Sequence, residues 1–209
     1  MARKIFAAYL LAASVATLPA AIAQMPKEAP GKADPARVTA GTYKVDPGHT
    51  QVSFSINHLG FSIYHGLFGD PTGTLTLDPA KPNAAKVVVD FPIVGVRTTS
   101  AELDEHLKKP EFFDAAKFPT AHFESTSVVA SGMNATINGN LTLKGVTKPV
   151  TLKAKFIGAG KGPMNSADTV GFEATTTISR SAFGISYGVP LVGDQVDLTI
   201  AAAFEKSKA

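Results

Sequence analysis

Glu102 and His106 stand one helical turn apart, and His58 and His65 flank a stretch that a sharp bend could fold on itself, so either pair has the residue types to share a metal ion. Neither pair belongs to a two-histidine helix motif, and a chain without cysteine lacks the usual structural zinc sets. No glycine run has phosphate-loop spacing, and no two carboxylates can be assigned to one cleft. Catalysis, by metal or by nucleophile, is therefore not expected, and no metal ligand is assigned. The same side chains suit recognition better. His58 could donate to a carbonyl, pair with a phosphate, or bond to backbone as a structural histidine. Arg180 is expected at an outer or rim position, paired with an acid such as Asp194 rather than with a ligand. His49, directly after Asp46-Pro47-Gly48, is expected to fasten that turn.

The elements that must position these residues are strands. Val52, Phe54, Ile56 and His58; Val87, Val89, Phe91 and Ile93; Val150, Leu152, Ala154 and Phe156; and Val170, Phe172, Ala174, Thr176 and Ile178 recur at the two-residue period of a β-strand. Their neighbours, such as Lys153, Lys155, Glu173 and Thr175, are polar, so each strand has one dry face and one wet face. The pattern predicts strands at 50–58, 63–68 continuing through a bend to 72–78, 85–95, 121–129, 132–144, 148–158, 168–179 and 194–205, after a short opening strand at Tyr43 and Val45. Gly60, Gly66, Gly69 and Gly73 are expected to mark turns or bulges. A short helix is expected after Thr98, with Thr99 and Glu102 at capping-box spacing, Leu103 and Leu107 on one face and Pro110 beyond its end. The fold class is all-β: an eight-stranded antiparallel barrel with a short helical insert near one end. The pattern alone leaves open whether its inside packs solid or holds a ligand.

Arg3 and Lys4, the apolar run from Ile5 to Leu18, and Ala21-Ile22-Ala23 have the order of a secretory signal peptide, residues 1–23, cleaved after Ala23. The run is too short for a membrane anchor, and the lack of cysteine excludes a disulfide framework and a lipoprotein anchor. A periplasmic protein is expected. Loss of Arg3 and Lys4 lowers the formal charge from +3 to +1, and no basic cluster interleaved with aromatics remains, so no nucleic-acid partner is expected. Residues 24–41, with Pro26, Pro30 and Pro35 and no periodicity, are expected to be a flexible leader; 42–206 form one domain. An outer-membrane barrel would also alternate, but the chain has no Trp, four Tyr and the charged tail Glu205-Lys-Ser-Lys208.

The segments Tyr43-Lys-Val-Asp46-Pro-Gly-His49, His58-Leu-Gly60, Asp104-Glu-His106-Leu107, Phe112-Phe113-Asp114, Phe118-Pro119, Gly139-Asn-Leu-Thr-Leu143, Gly145-Val-Thr-Lys-Pro149, Ser179-Arg-Ser-Ala-Phe183-Gly184 and Gly193-Asp194-Gln-Val196 resemble, in order, the signature islands of the YceI-like, polyisoprenoid-binding proteins. The chain departs from that pattern at Leu103, where the family often has arginine, and at Ala182, where an acid is common. The resemblance implies a lipocalin-like barrel enclosing an isoprenoid or related long-chain lipid, such as a quinone or a polyprenyl phosphate, with no cofactor required. Transient membrane contact is expected for loading or release, and a homodimer is left open. Residues expected to line the ligand are Phe54, Ile56 and His58; Phe61, Ile63 and Phe68; Val89 and Phe91; Phe112 and Phe113; and Phe123, Phe156, Phe172, Ile178 and Phe183. Two other classes are kept beside a lipid carrier: a stress-responsive interaction barrel without an exchangeable ligand, and, more remotely, a hydrolase or metal-dependent enzyme.

Overall fold

A computed structural model describes residues 28–206; the expected signal peptide and its cleavage site lie outside the described residues. The described strands are β1 (Gly41–Val45), β2 (Gln51–His58), β3 (Ser62–Phe68), β4 (Thr72–Leu77), β5 (Lys86–Pro92), β6 (Val96–Arg97), β7 (Thr120–Ser131), β8 (Asn134–Leu143), β9 (Val146–Lys161), β10 (Asp168–Ser179) and β11 (Val192–Lys206), with one helix, α1 (Ala101–Leu107). They pair in the order β1-β4-β5-β7-β8-β9-β10-β11, and β1 returns to pair with β11, which closes the barrel. β2, β3 and β6 extend it, because β11 pairs β1 through Phe204–Lys206 and β2 through Val192–Ala201. The eleven segments thus act as eight antiparallel ribbons: β1 with β2, β3 with β4 and β5 with β6 are each one ribbon broken near its middle.

The breaks have local causes. Between β1 and β2, Pro47 opens a 3-10 turn whose preceding Asp46 accepts the Gly48 N–H at 3.0 Å and bonds the His49 Nδ1 at 2.6 Å, as the spacing predicts. The ladder bonds lost there are replaced by the buried Thr50 hydroxyl, which donates to the Ala203 carbonyl and accepts its N–H. Ser100, not Thr99, caps α1, its hydroxyl accepting the Leu103 N–H; Thr99 instead lies 3.4 Å from the Tyr64 hydroxyl. Gly66 is no turn. It faces Phe54 across the β2–β3 pair, where a Cβ would come within 2.3 Å of the Phe54 ring.

Residues 32–40, expected as part of a leader, lie against the barrel. β9 runs beyond its pairing with β8, which ends at Lys155, and Lys32 pairs with Ala159 on that uncovered edge. Gly158 and Gly160 allow the approach: a Cβ on Gly160 would stand 2.2 Å from the Pro30 carbonyl oxygen. Asp34 caps a 3-10 turn over Pro35–Arg37, and Val38 packs on the cluster of Tyr43, Phe156, Val170 and Phe204. A second cluster, with Ile93, Leu143, Ile178, Phe183 and Ile185, lies at the helix-bearing end, and a third, with Leu152, Ala154 and Ala174 and with Phe123, Ala135, Ile137 and Ile200 packed against it, lies between the two.

Candidate functional site

The inward side chains do not fill the barrel. A cavity of about 750 Å³ runs along its axis, a size in the range of small-molecule sites. The two-residue period supplies its wall: Val52, Phe54, Ile56 and His58 from β2; Val87, Val89 and Phe91 from β5; Val150, Leu152, Ala154 and Phe156 from β9; and Phe172, Ala174, Thr176 and Ile178 from β10. Gly139 is a second glycine facing a ring, since a Cβ there would meet Phe123 at 2.4 Å. Both glycines let an inward phenylalanine lie along the wall.

Antiparallel order gathers unlike connections at the two ends. At the strapped end the lining is Pro35, Val38, Leu77, Pro79, Ala85 and Met133, with Lys86 and Asn134 among them. At the helix end it is Leu103, His106 and Leu107 of α1, Phe112 and Phe113 after it, His58, Tyr64, Arg180, Ile185 and Tyr187. Here rings pack in sequence: His106 lies edge-on to Phe112 with centroids 4.9 Å apart and to Tyr187 at 5.7 Å, while Phe113 meets Phe68 at 5.5 Å. His106 Nε2 is 3.1 Å from a Glu111 carboxylate oxygen.

Arg180 corrects the expectation of a rim ion pair. It is 6% exposed, and its guanidinium donates to four backbone carbonyls: Nε to Gly193 at 2.8 Å, Nη1 to Ile185 at 3.0 Å and Tyr187 at 2.8 Å, and Nη2 to Val192 at 3.0 Å. Ile185 and Tyr187 lie in an irregular loop, and Val192 and Gly193 lie at the start of β11, where its register with β2 shifts, so one fixed fork of donors satisfies oxygens that a regular ladder does not. Burial lowers the Arg180 pKa, and the nearby Asp194 charge opposes that shift. Asp194 turns instead to Ser179 and Ser181, accepting both hydroxyls and the Ser181 N–H at 2.8 Å; these bonds hold its carboxyl below the usual range.

Of the expected lining residues, Phe54, Ile56, His58, Phe68, Val89, Phe91, Phe112, Phe113, Phe123, Phe156, Phe172 and Ile178 face the cavity. Three do not. Phe61 is 91% exposed on the β2–β3 turn, and Ile63, paired with Asn57, is 53% exposed on the outer face of β3. Phe183 is buried in the packed cluster beside the cavity, held there by the 3-10 turn Arg180–Phe183. His58 and His65 face opposite sides of their ribbon pair, with only His58 on the cavity, and among the described residues no three His, Asp or Glu gather as a metal site. Gly184-Ile-Ser186-Tyr-Gly188 has the spacing of a nucleophile elbow, but Ser186 is exposed in an irregular loop rather than on a strand-to-helix turn, and it does not line the cavity. Tyr64, His106 and Tyr187 line the cavity as well, beyond the expected set. Helical spacing with Leu103 and Leu107 carried the signal for His106; nothing local marks Tyr187.

A family model of the YceI-like domain matches residues 43–204. A UPF0312 protein of Pseudomonas aeruginosa is 44% identical over 163 residues, which cover 77% of this chain and 85% of that protein. Among solved structures, BcnA of Burkholderia cenocepacia aligns with a TM-score of 0.68 at 23% identity, covering 76% of this chain and 98% of that one. A polyisoprenoid binding domain from Saccharophagus degradans, implicated in plant cell wall breakdown, aligns with a TM-score of 0.61 at 11% identity over 79% of this chain and 98% of its own. The two structural likenesses are of fold.

Proposed function

The chain belongs to the YceI-like domain family, and from that premise we propose that it binds an isoprenoid or related long-chain lipid in the barrel cavity and carries or sequesters it in the periplasm without chemical change. The observation that carries this is the continuous apolar cavity of about 750 Å³ running between two packed end clusters. Tail burial supplies affinity at about 25 cal/mol per Å² removed from water, so polar groups need only orient a head. The polyisoprenoid binding of a structural neighbour supports the same ligand class. In this reading the lipid exchanges with a membrane at the helix end. There the β2–β3 turn and the loop before β11 touch through the Leu59 N–H and the Leu191 carbonyl, leaving Phe61 and the 70% exposed Leu191 facing outward beside His58 and Val192, which line the cavity. The signal-like start at Arg3 to Ala23 supports export.

Mass spectrometry of a lipid extract from gently purified protein tests the proposal, together with a titration series of prenols and quinones of increasing length. A co-purifying prenyl lipid, and affinity that climbs with tail length and then levels off, is the expected result. Lipid-free protein with a flat series would return the barrel to the interaction-module class.

A further inference from the structure

The strap from Lys32 to Ala40 precedes Tyr43, where the match to the YceI-like domain begins, so family membership does not account for it. It is fastened on both sides of a short arc. Upstream, Lys32 and Ala159 exchange both backbone bonds, at 3.1 and 2.9 Å, and the Arg37 guanidinium donates to the Pro30 carbonyl at 3.0 Å. Downstream, the buried Tyr43 hydroxyl donates to the Thr39 carbonyl, and the Lys206 ammonium donates to the Thr39 hydroxyl at 3.1 Å and to the Ala40 carbonyl at 2.8 Å. Between these anchors Asp34 accepts the Ala36 N–H at 3.0 Å and the Pro35 ring fixes its own φ, so the arc has little freedom to move. Pro35 and Val38 are the strap's two residues on the cavity wall, and Val38 packs against the cluster that contains Tyr43, Phe156 and Phe204. An arc tied down on both sides cannot yield to an entering tail without losing these bonds, and its two apolar side chains offer a tail contact but no passage.

We propose that the strap is the floor of the cavity and determines tail length: Pro35 and Val38 stop the far end of a bound lipid, so the chain takes tails up to the strap and leaves any further carbons in water at the helix end. The inference rests on the lipid-binding reading above and adds which residues set the length of the ligand. Each CH2 that finds room inside the barrel adds to affinity, and each that the floor pushes back adds nothing, so the position of the strap is read directly in how affinity depends on tail length.

The test is a titration of the full chain with prenols of increasing length, from farnesol through geranylgeraniol to solanesol, for the wild type, for Val38→Trp and for Pro35→Gly combined with Val38→Gly. Hydrogen exchange at the Lys32 amide shows in each variant whether the strap is still docked. With the strap docked, Val38→Trp should bring the plateau to a shorter tail and weaken the longest prenols about tenfold or more, the cost of about two CH2 groups returned to water. The double glycine variant should move the plateau to longer tails. If the indole of Val38→Trp instead lifts the strap, exchange at Lys32 rises and the plateau moves to longer tails, as removal of a floor requires. A plateau that stays at the wild-type length in both variants, or wild-type affinity that climbs without a break through solanesol, overturns the strap as floor and leaves lipid binding intact. Binding of no prenol by the wild type overturns the lipid-binding reading itself, and the floor with it.

Discussion

At the strapped end of the barrel, the uncovered edge of β9 is answered chiefly by backbone: Lys32 pairs with it at Ala159, Gly158 and Gly160 clear the path, and the Arg37 guanidinium adds bonds to the Pro30 and Ala159 carbonyls. At the helix end it is answered by side chains, with Arg180 holding four carbonyls, Asp194 holding Ser179 and Ser181, and Asp104 accepting the Thr98 N–H and hydroxyl. Backbone pairing seals an edge without bringing charge to the cavity. Side-chain satisfaction of an irregular loop brings buried charge with it. The difference shows how closing a barrel by two means gives its two ends different chemistry.

Substitution at the two ends should separate these modes of closure. Arg180→Met should have the largest effect, because it removes the donors of four carbonyls at once, all of them at least partly buried; a loss of about 3 kcal/mol or more is expected from denaturant midpoints. Asp194→Asn should cost about 1–2 kcal/mol at neutral pH. Its wild-type carboxyl is held below its ordinary value, first by the Ser179 hydroxyl and then by Ser181, so the stabilisation is present above about pH 4, the unfolded value, and is lost as pH falls through the depressed folded value. The acid limb of the stability curve should therefore flatten in Asp194→Asn. At the strapped end, Gly160→Val should leave the global midpoint within about 1 kcal/mol while hydrogen exchange at the Lys32 amide rises sharply, because a Cβ there collides with the Pro30 carbonyl. Equal losses of global stability from Arg180→Met and Gly160→Val would erase the distinction between the ends. The smallest effect belongs to Asp168→Asn, which removes an exposed pair with Lys161 and a bond from Thr39; a change of about 0.5 kcal/mol is expected in the same unfolding assay.

The strand phases were legible where one parity is apolar and the other polar, as at Val150 to Phe156 against Lys153 and Lys155, and there the inward residues were read correctly. In β3 both parities carry apolar residues, Ile63 and Leu67 on one and Tyr64 and Phe68 on the other, so hydrophobicity could not choose. Spacing could have: Ile63 and Phe68 differ in parity and cannot share a face of one continuous strand. Pairing of His58 with Ser62 settles it, placing Tyr64 inward beside Ile56. The strap was hidden because it forms no periodic element; the Gly158-x-Gly160 pair was its trace, readable only once β9 was known to outrun β8. The place of Arg180 is not legible from strand phase, which ends at Ser179, where the chain turns into a 3-10 turn and carries the side chain into the wall.

The central claim, that the cavity rather than the outer face takes the lipid, is tested most directly by adjacent residues on β10. Thr176 lines the cavity and Thr175 is exposed on the outside. A geranylgeraniol titration and a denaturation curve would be measured for Thr176→Trp and Thr175→Trp. Thr176→Trp should weaken binding by about tenfold or more while the barrel stays folded, at a stability cost of no more than about 3 kcal/mol, and Thr175→Trp should change neither property appreciably. Undiminished binding by Thr176→Trp, or equal losses in both variants, would contradict a lipid held within the barrel.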